Sequence, residues 1–352
     1  MNKRDLKNLK TVVSSVIKPL SERNRDIIAR RFGLQNGKRE TLESIGQSYG
    51  ITRERVRQIE ESTLAQLSKT TSENREVARY ATNVKEILNK EGGIMREKDL
   101  FTTFSGTEKY DTTNASLSFL LTLNRELMKV DENDHFYAYW ASDQKKADML
   151  HSVVATLTTA LEKHADVISE EELRSFAVRN GIFNGSDFSD RHVTTLLAVS
   201  KDISKNIFGE VGLVSWPEVK PKGVRDKAYL IMKKEGKPKH FGDIARLINA
   251  ASFNDRKGVN TQTVHNELIK DSRFVLVGRG MYALAEWGYK SGTVKEVLVD
   301  ILRNASKPLP KADLVARVMN ARMVKENTIL LNLQDSSHFV RNEDGTYTLR
   351  KA

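Results

Sequence analysis

Trp140, Trp216 and Trp287 stand 76 and 71 residues apart, each at or just after a pair of short alternating segments joined by a Gly- or Asx-rich turn. The pairs are 127–130 with 135–140 around Asp131-Glu132-Asn133-Asp134, 206–208 with 213–216 around Gly209-Glu210-Val211-Gly212, and 274–277 with 281–284 around Gly278-Arg279-Gly280. A fourth pair, 339–341 with 346–349 around Asn342-Glu343-Asp344-Gly345, has the same layout. Such turns between β-prone runs are hairpin signals. Two or three amphipathic helices precede each pair, so the chain beyond about residue 72 predicts four modules of one plan. A tryptophan recurring at one place in a plan reads as packing, not as a platform for stacking bases. The joints Ser142-Asp143-Gln144, Lys220-Pro221-Lys222-Gly223 and Ser291-Gly292 bound modules at 73–141, 145–217, 222–288 and 291–352.

Residues 1–72 follow a different plan and read as helical throughout. Pro19 separates a first segment from Ser21, which is placed to cap a helix bearing Ile27 and Ile28, and the 33–38 stretch breaks that helix. Thr41 caps a second helix, Gly50 ends it in a position suited to a left-handed turn, and Thr52 caps a third that runs to about Ser68. Two helices joined across Gly50-Ile51-Thr52 make a helix-turn-helix. On the third helix Val56, Ile59, Thr63, Leu64 and Leu67 share one face, while Arg53, Glu54, Arg57, Gln58 and Glu61 share the other. Arginine donates a bidentate pair to guanine, glutamine reads adenine and glutamate accepts from the cytosine amino group, each contact discriminating by about 1–3 kcal/mol. The alternative for Arg53, Glu54, Arg57 and Gln58 is a helix face that merely solvates. The expected fold is mainly α, a helix-turn-helix followed by a tandem array of about four winged-helix modules with small β-hairpins.

Charge is distributed unevenly enough to bear on partners. Residues 1–70 carry a net +7, residues 71–217 a net −6 and residues 218–352 a net +10. A polyanion is attracted to both ends and repelled by the middle, because phosphate neutralisation with counterion release dominates nucleic-acid affinity. The absence of cysteine removes disulfides, thiol catalysis and cysteine-containing zinc sites. The seven histidines are scattered, and no phosphate-binding loop, nucleophile elbow or nuclease-like cluster stands out. The expectation is a non-enzyme with no catalytic residue, no metal, no cofactor and no small-molecule substrate. No apolar run approaches a membrane span, and mean hydropathy is −0.48, so no membrane partner is expected and residence is expected in the cytoplasm, at a bacterial-type nucleoid.

Two resemblances sharpen this reading. The segments Leu20-Ser21-Glu22-Arg23, Ile28-Ala29-Arg30-Arg31-Phe32-Gly33-Leu34 and Thr41-Leu42-Glu43-Ser44-Ile45-Gly46, with the run Tyr49-Gly50-Ile51-Thr52-Arg53-Glu54-Arg55-Val56-Arg57-Gln58-Ile59-Glu60, resemble region 4 of bacterial sigma factors. That resemblance implies that Arg53, Glu54, Arg57 and Gln58 read the −35 promoter element. It makes Arg30, Arg31, Thr52 and Arg55 candidates for phosphate contacts that set register without carrying sequence information. In a complete sigma factor this region follows the domains that read and melt the −10 element, whereas here it leads. The expectation is therefore a sigma-like DNA reader, not a self-sufficient initiation factor. Phe241-Gly242-Asp243-Ile244-Ala245 and the run from Arg273 to Gly288 resemble the HARE-type winged helix, also found in the delta subunit of bacterial RNA polymerase.

In that module Arg279 tips a basic hairpin suited to a minor groove or a phosphate, with Arg256, Lys257 and Lys270 nearby in sequence. The other hairpin tips carry Asp131, Glu132 and Asp134, Glu210, and Glu343 with Asp344, which repel DNA, so the first two modules are expected to bind protein or act as spacers. Lys307, Lys311, Arg317, Arg322 and Lys325 leave DNA binding and plain solvation equally open for the fourth. Three functions are compatible with this reading: a regulator on promoter DNA together with RNA polymerase, a chromosome-architecture protein without polymerase contact, and a protein-interaction scaffold working through its acidic middle.

Overall fold

The structure, a computed structural model, describes residues 3–182, 190–251, 253, 258–289 and 291–350. The chain opens with α1 (Lys3–Ile17), α2 (Glu22–Phe32), α3 (Leu42–Tyr49) and α4 (Arg53–Thr71). Their ends are set by the residues that sequence reasoning singles out. Ser21, Thr41 and Thr52 each accept a hydrogen bond from the backbone N–H three residues on, at 3.3, 3.1 and 3.2 Å. Gly50 closes α3 with φ +63°, a left-handed value that costs a residue with Cβ. The turn has a second requirement. A Cβ on Gly46 would lie 2.7 Å from the Ile51 carbonyl oxygen, so only glycine lets α3 meet the strand of backbone leading into α4.

Four modules follow, each in the order helix, strand, helix, helix, strand, strand. The first has α5 (Arg75–Lys90), β1 (Ile94–Arg96), α6 (Glu97–Ser105), α7 (Thr112–Leu123), β2 (Met128–Val130) and β3 (Tyr139–Ala141). The second has α8 (Gln144–His164), β4 (Ile168–Ser169), α9 (Glu170–Arg179), α10 (Asp190–Val199), β5 (Ile203–Lys205) and β6 (Glu210–Leu213). The third has α11 (Val224–Glu235), β7 (Lys239–His240), α12 (Phe241–Ala250), α13 (Thr261–Lys270), β8 (Phe274–Gly278) and β9 (Met281–Leu284). The fourth has α14 (Val294–Arg303), β10 (Leu309–Pro310), α15 (Lys311–Ala321), α16 (Glu326–Leu333), β11 (Phe339–Arg341) and β12 (Thr346–Leu349). Each module closes a three-stranded sheet with its last strand in the middle, in the orders β1-β3-β2, β4-β6-β5, β7-β9-β8 and β10-β12-β11. The strand between the first two helices, absent from the sequence reading, is two or three residues long in every module. It pairs antiparallel with the returning arm of the hairpin, as in Ile94 with Ala141 and Leu309 with Tyr347.

The second hairpin sits a few residues earlier than the sequence suggests. Asn206 accepts the backbone N–H groups of Phe208 and Glu210 on its side-chain oxygen, at 2.9 and 3.0 Å, and this turn ends β5 before residues 206–208 can extend it. Trp140 is fully buried, and Trp216 and Trp287 are half-buried, in keeping with a packing role.

The chain divides into two compact bodies, residues 1–205 with 211–214, and residues 206–210 with 215–352. In the first, one apolar cluster runs from Leu9, Val12 and Val16 of α1 through Ile28 and Phe32 of α2 and Leu67 of α4 to Tyr80, Phe101, Phe104, Leu117, Phe119 and Trp140. It crosses the expected boundary at 72/73 without a break. Helix α7 is the reason: its residues from Asn114 to Leu121, and Leu123, are all buried, because α1, α2 and α4 cover what α5 and α6 leave open. Phe119 meets Phe32 edge to face at 5.2 Å, and the Tyr110 hydroxyl donates to the Phe32 carbonyl at 3.0 Å. A separate small cluster of Ile27, Ile45 and Val56 closes the helix-turn-helix on itself. Ile27 and Ile28 thus face two different cores from adjacent positions of α2. In the second body the third and fourth modules keep their own clusters, around Met232, Ile244 and Tyr282 and around Leu298, Leu314 and Ile329.

Candidate nucleic-acid interface

The inward side of α4 is anchored by Val56, Thr63 and Leu67, all buried, and this turns Arg53, Glu54, Arg55, Arg57, Gln58 and Glu61 to the surface. The four residues proposed from sequence to read bases lie together on the first two turns. Three of the four hold hydrogen bonds along the helix. Arg57 donates from Nε and Nη2 to the two carboxylate oxygens of Glu54, at 2.9 and 2.7 Å, and from Nη1 to Glu61. Arg55 donates to the Gln58 side-chain oxygen at 3.2 Å. The Arg57 hydrogen bonds hold the Glu54 carboxyl below its ordinary range, and Glu54 in turn raises the Arg57 guanidinium further above its own. Exposed pairs of this kind are solvated and exchangeable, so the patch is ordered without being locked.

Two other predicted phosphate contacts are committed elsewhere. Arg30 forms a fork with Glu40, at 3.1 and 2.7 Å, and also donates to the Ser48 hydroxyl at 2.8 Å. Arg31 pairs with Glu60 at 2.9 Å and donates to the Glu40 carbonyl at 2.6 Å. These arginines tie α2 to the loop before α3 and to α4, so they fix the angle at which the outward stripe is presented. Arg39 extends the bracing into the first module and was not singled out from sequence. Its guanidinium stacks 3.9 Å over the Tyr110 ring and reaches Glu97 at 3.4 Å and the Ser118 hydroxyl at 3.3 Å. Thr52 has its hydroxyl oxygen on the Arg55 N–H, and both residues are exposed beside the patch.

The hairpins serve different purposes in different modules. The first is used between modules: Tyr137 donates its N–H to the Val199 carbonyl at 2.9 Å, Lys201 donates to the His135 carbonyl at 2.8 Å, and Glu132 pairs with Lys201 at 2.7 Å. Its acidic tip is thus partly neutralised by the second module. The turn of the second hairpin, residues 206–210, groups with the second body, where Phe208 packs on the α11–α13 cluster and Glu210 faces Lys234 at 3.6 Å. In the third hairpin β8 lends its outer edge to the fourth module, through Met323 N–H to the Val277 carbonyl at 3.1 Å and Arg322 to the Leu276 carbonyl at 3.0 Å. Its tip stays free, and Arg279 is exposed and makes no ion pair among the described residues. Arg322 is only 6% exposed, so this cation of the fourth module is not at the surface. Arg256 and Lys257 lie outside the described residues. Among the described residues no cluster of three or more His, Asp or Glu side chains is arranged to hold a metal, and no helix is long and apolar enough to cross a membrane.

Three capped helices, a left-handed turn at Gly50, a close approach at Gly46 and an outward polar stripe define α2–α4 as a helix-turn-helix. Residues 16–69 match the family Sigma-70, region 4. Over 59 residues, 17% of this chain, the sequence is 46% identical to the RNA polymerase sigma factor SigA1 of Synechococcus elongatus and 44% identical to the sigma factor SigA of a Bacillus species. A SigA of Microcystis aeruginosa matches over the same length at 46%. The matched part spans about 15% of these relatives, 14–16% in the three named.

Proposed function

We propose that this protein is a sequence-specific duplex-DNA-binding transcription regulator that reads a −35-like element with α4 and works with RNA polymerase at the bacterial nucleoid. The observation that carries this reading is the exposed stripe of Arg53, Glu54, Arg57 and Gln58 on a capped, braced helix within a segment matching sigma region 4. Thr52 and Arg55 flank the stripe and contact phosphate. Arg279 at the tip of the basic third hairpin, with Arg256 and Lys257 of the same module, supplies charge neutralisation that does not depend on sequence. Arg30 and Arg31 act one step back, by holding α2, α3 and α4 in register. The protein carries out no reaction of its own in this reading.

A selection from random duplexes tests the proposal. The full chain is expected to enrich a −35-like hexamer, and Arg57→Ala or Gln58→Ala to relax the preference at individual positions. Equal selectivity of the wild type and both variants would sink base reading by α4. Capture of core RNA polymerase by the tagged full chain separates a regulator working with polymerase from an architectural DNA binder.

A further inference from the structure

The shared plan of the four modules allows their third helices, α7, α10, α13 and α16, to be compared as candidate DNA-facing surfaces, and three are unsuited. Helix α7 is enclosed by α1, α2, α4 and α5. Helix α10 is seated on the turn before β1, with Arg191 donating to the Lys90 carbonyl and the Thr195 hydroxyl donating to the Glu91 carbonyl at 3.1 Å. Helix α16 opens with Glu326 and contains no lysine or arginine.

Helix α13 differs in each respect. Val264 and Leu268 bury one side, and the other presents Gln262, Asn266 and Ile269 at spacings of four and three, one continuous stripe. Gln262 donates from Nε2 to the Asn266 side-chain oxygen at 3.1 Å, which links the two exposed amides and leaves the Asn266 NH2 and the Gln262 oxygen for other partners. Ile269 is 62% exposed, an apolar group with no folded partner. The acid of the helix, Glu267, is turned aside onto Arg225 at 3.4 Å and Lys270 at 3.8 Å. Carboxamides pair with the N6 and N7 edge of adenine, and an exposed aliphatic group suits the thymine methyl.

The basic hairpin is held to this helix by Phe241. Its ring lies 4.4 Å from that of His265 on α13, and its N–H donates to the Gly280 carbonyl at 3.0 Å, next to Arg279. Helix stripe and wing tip therefore belong to one rigid frame. Residues 222–288 carry 13 lysines and arginines against 7 aspartates and glutamates, so the module attracts a polyanion where the two before it repel one.

We propose that α13 and the Gly278–Gly280 turn form a second, independent DNA-reading surface, in which Gln262, Asn266 and Ile269 select A·T pairs from the major groove while Arg279 neutralises a backbone phosphate. This goes beyond the reading of α4 and shares only Arg279 with it.

The test uses the full chain with α4 disabled by Arg57→Ala and Gln58→Ala, offered random duplexes. Its selected pool is expected to remain enriched in A·T pairs. Adding Gln262→Ala and Asn266→Ala is expected to abolish that enrichment and weaken the selected duplexes by about 10-fold or more. Arg279→Ala is expected to weaken all duplexes alike and lower the salt slope by about one ion. An unbiased pool, an enrichment indifferent to Gln262 and Asn266, or loss of all duplex binding in the α4-disabled chain overturns the proposal. Failure of the α4 reading alone looks different: the wild type then lacks the −35-like hexamer but keeps the A·T enrichment.

Discussion

Glu54 grips Arg57 with both carboxylate oxygens, one turn apart on the exposed face of α4. On the proposed reading, an arginine offered to guanine is thus already engaged by an acid that must rearrange, or must itself find a base donor, before contact. Non-cognate duplexes offer no such compensation. Glu54→Ala is accordingly expected to raise affinity for random duplex several-fold while narrowing the gap between selected and random sites. Titration of both duplex types at one salt concentration checks this, and an unchanged ratio counts against the gripping role.

Because α7 belongs to the core of the helix-turn-helix as much as to its own module, Phe119→Ala is expected to cost about 3–5 kcal/mol and to shift unfolding of both parts together. Hydrogen exchange on α3–α4 and on α5–α7 reads the two parts separately. Loss of protection confined to α5–α7 would contradict a common core.

The close approach at Gly46 makes a sharper local prediction. A methyl group placed 2.7 Å from the Ile51 carbonyl oxygen forces α3 and α4 apart, so Gly46→Ala is expected to destabilise the helix-turn-helix by about 1–3 kcal/mol. It should also reduce discrimination among duplexes more than Arg30→Ala does, since Arg30 braces the same angle through hydrogen bonds that water can partly replace. Equal discrimination by Gly46→Ala and the wild type would remove the steric argument.

In the third module Arg273 donates to Asp271 at 2.6 Å and to Asp226 at 2.8 Å, and the hydrogen bond from Arg273 holds the Asp271 carboxyl below its ordinary 3.8. A depressed carboxyl stabilises the fold above that ordinary value and loses its contribution as the pH falls through the lower folded one. Thermal unfolding of the second body is thus expected to fall steeply below about pH 4 in the wild type. Asp271→Asn is expected to cost about 1.5–3 kcal/mol at neutral pH and to flatten that acid limb. A limb of unchanged steepness in Asp271→Asn would assign it to other carboxylates.

What the sequence discloses and what it hides divide along the range of the interactions. The Ser21, Thr41 and Thr52 caps and the Gly50 turn act within three or four residues, and all are legible in the chain. Strands such as Ile94–Arg96 are too short to show alternation and owe their existence to Tyr139–Ala141, more than forty residues on. The commitment of Arg31 to Glu60 is equally hidden, because its partner is set by how α2 crosses α4. The outward face of α4 was readable since its helical period is local. The freedom of α13 was not, because it emerges only when α7 and α10 are found covered by their neighbours.

The joints made by the first and third hairpins give the array a grammar of succession. The Asp131–Asp134 turn leans on Lys201 through Glu132, and β8 leans on the Arg322 guanidinium and the Met323 N–H. A chain recombined with its modules in another order would bring each hairpin to a neighbour lacking the matching seat. Diversification of such an array by shuffling is therefore hindered, and, if α13 reads DNA as proposed, new target preferences are more readily acquired by substitution on outward stripes such as Gln262, Asn266 and Ile269, which no joint uses.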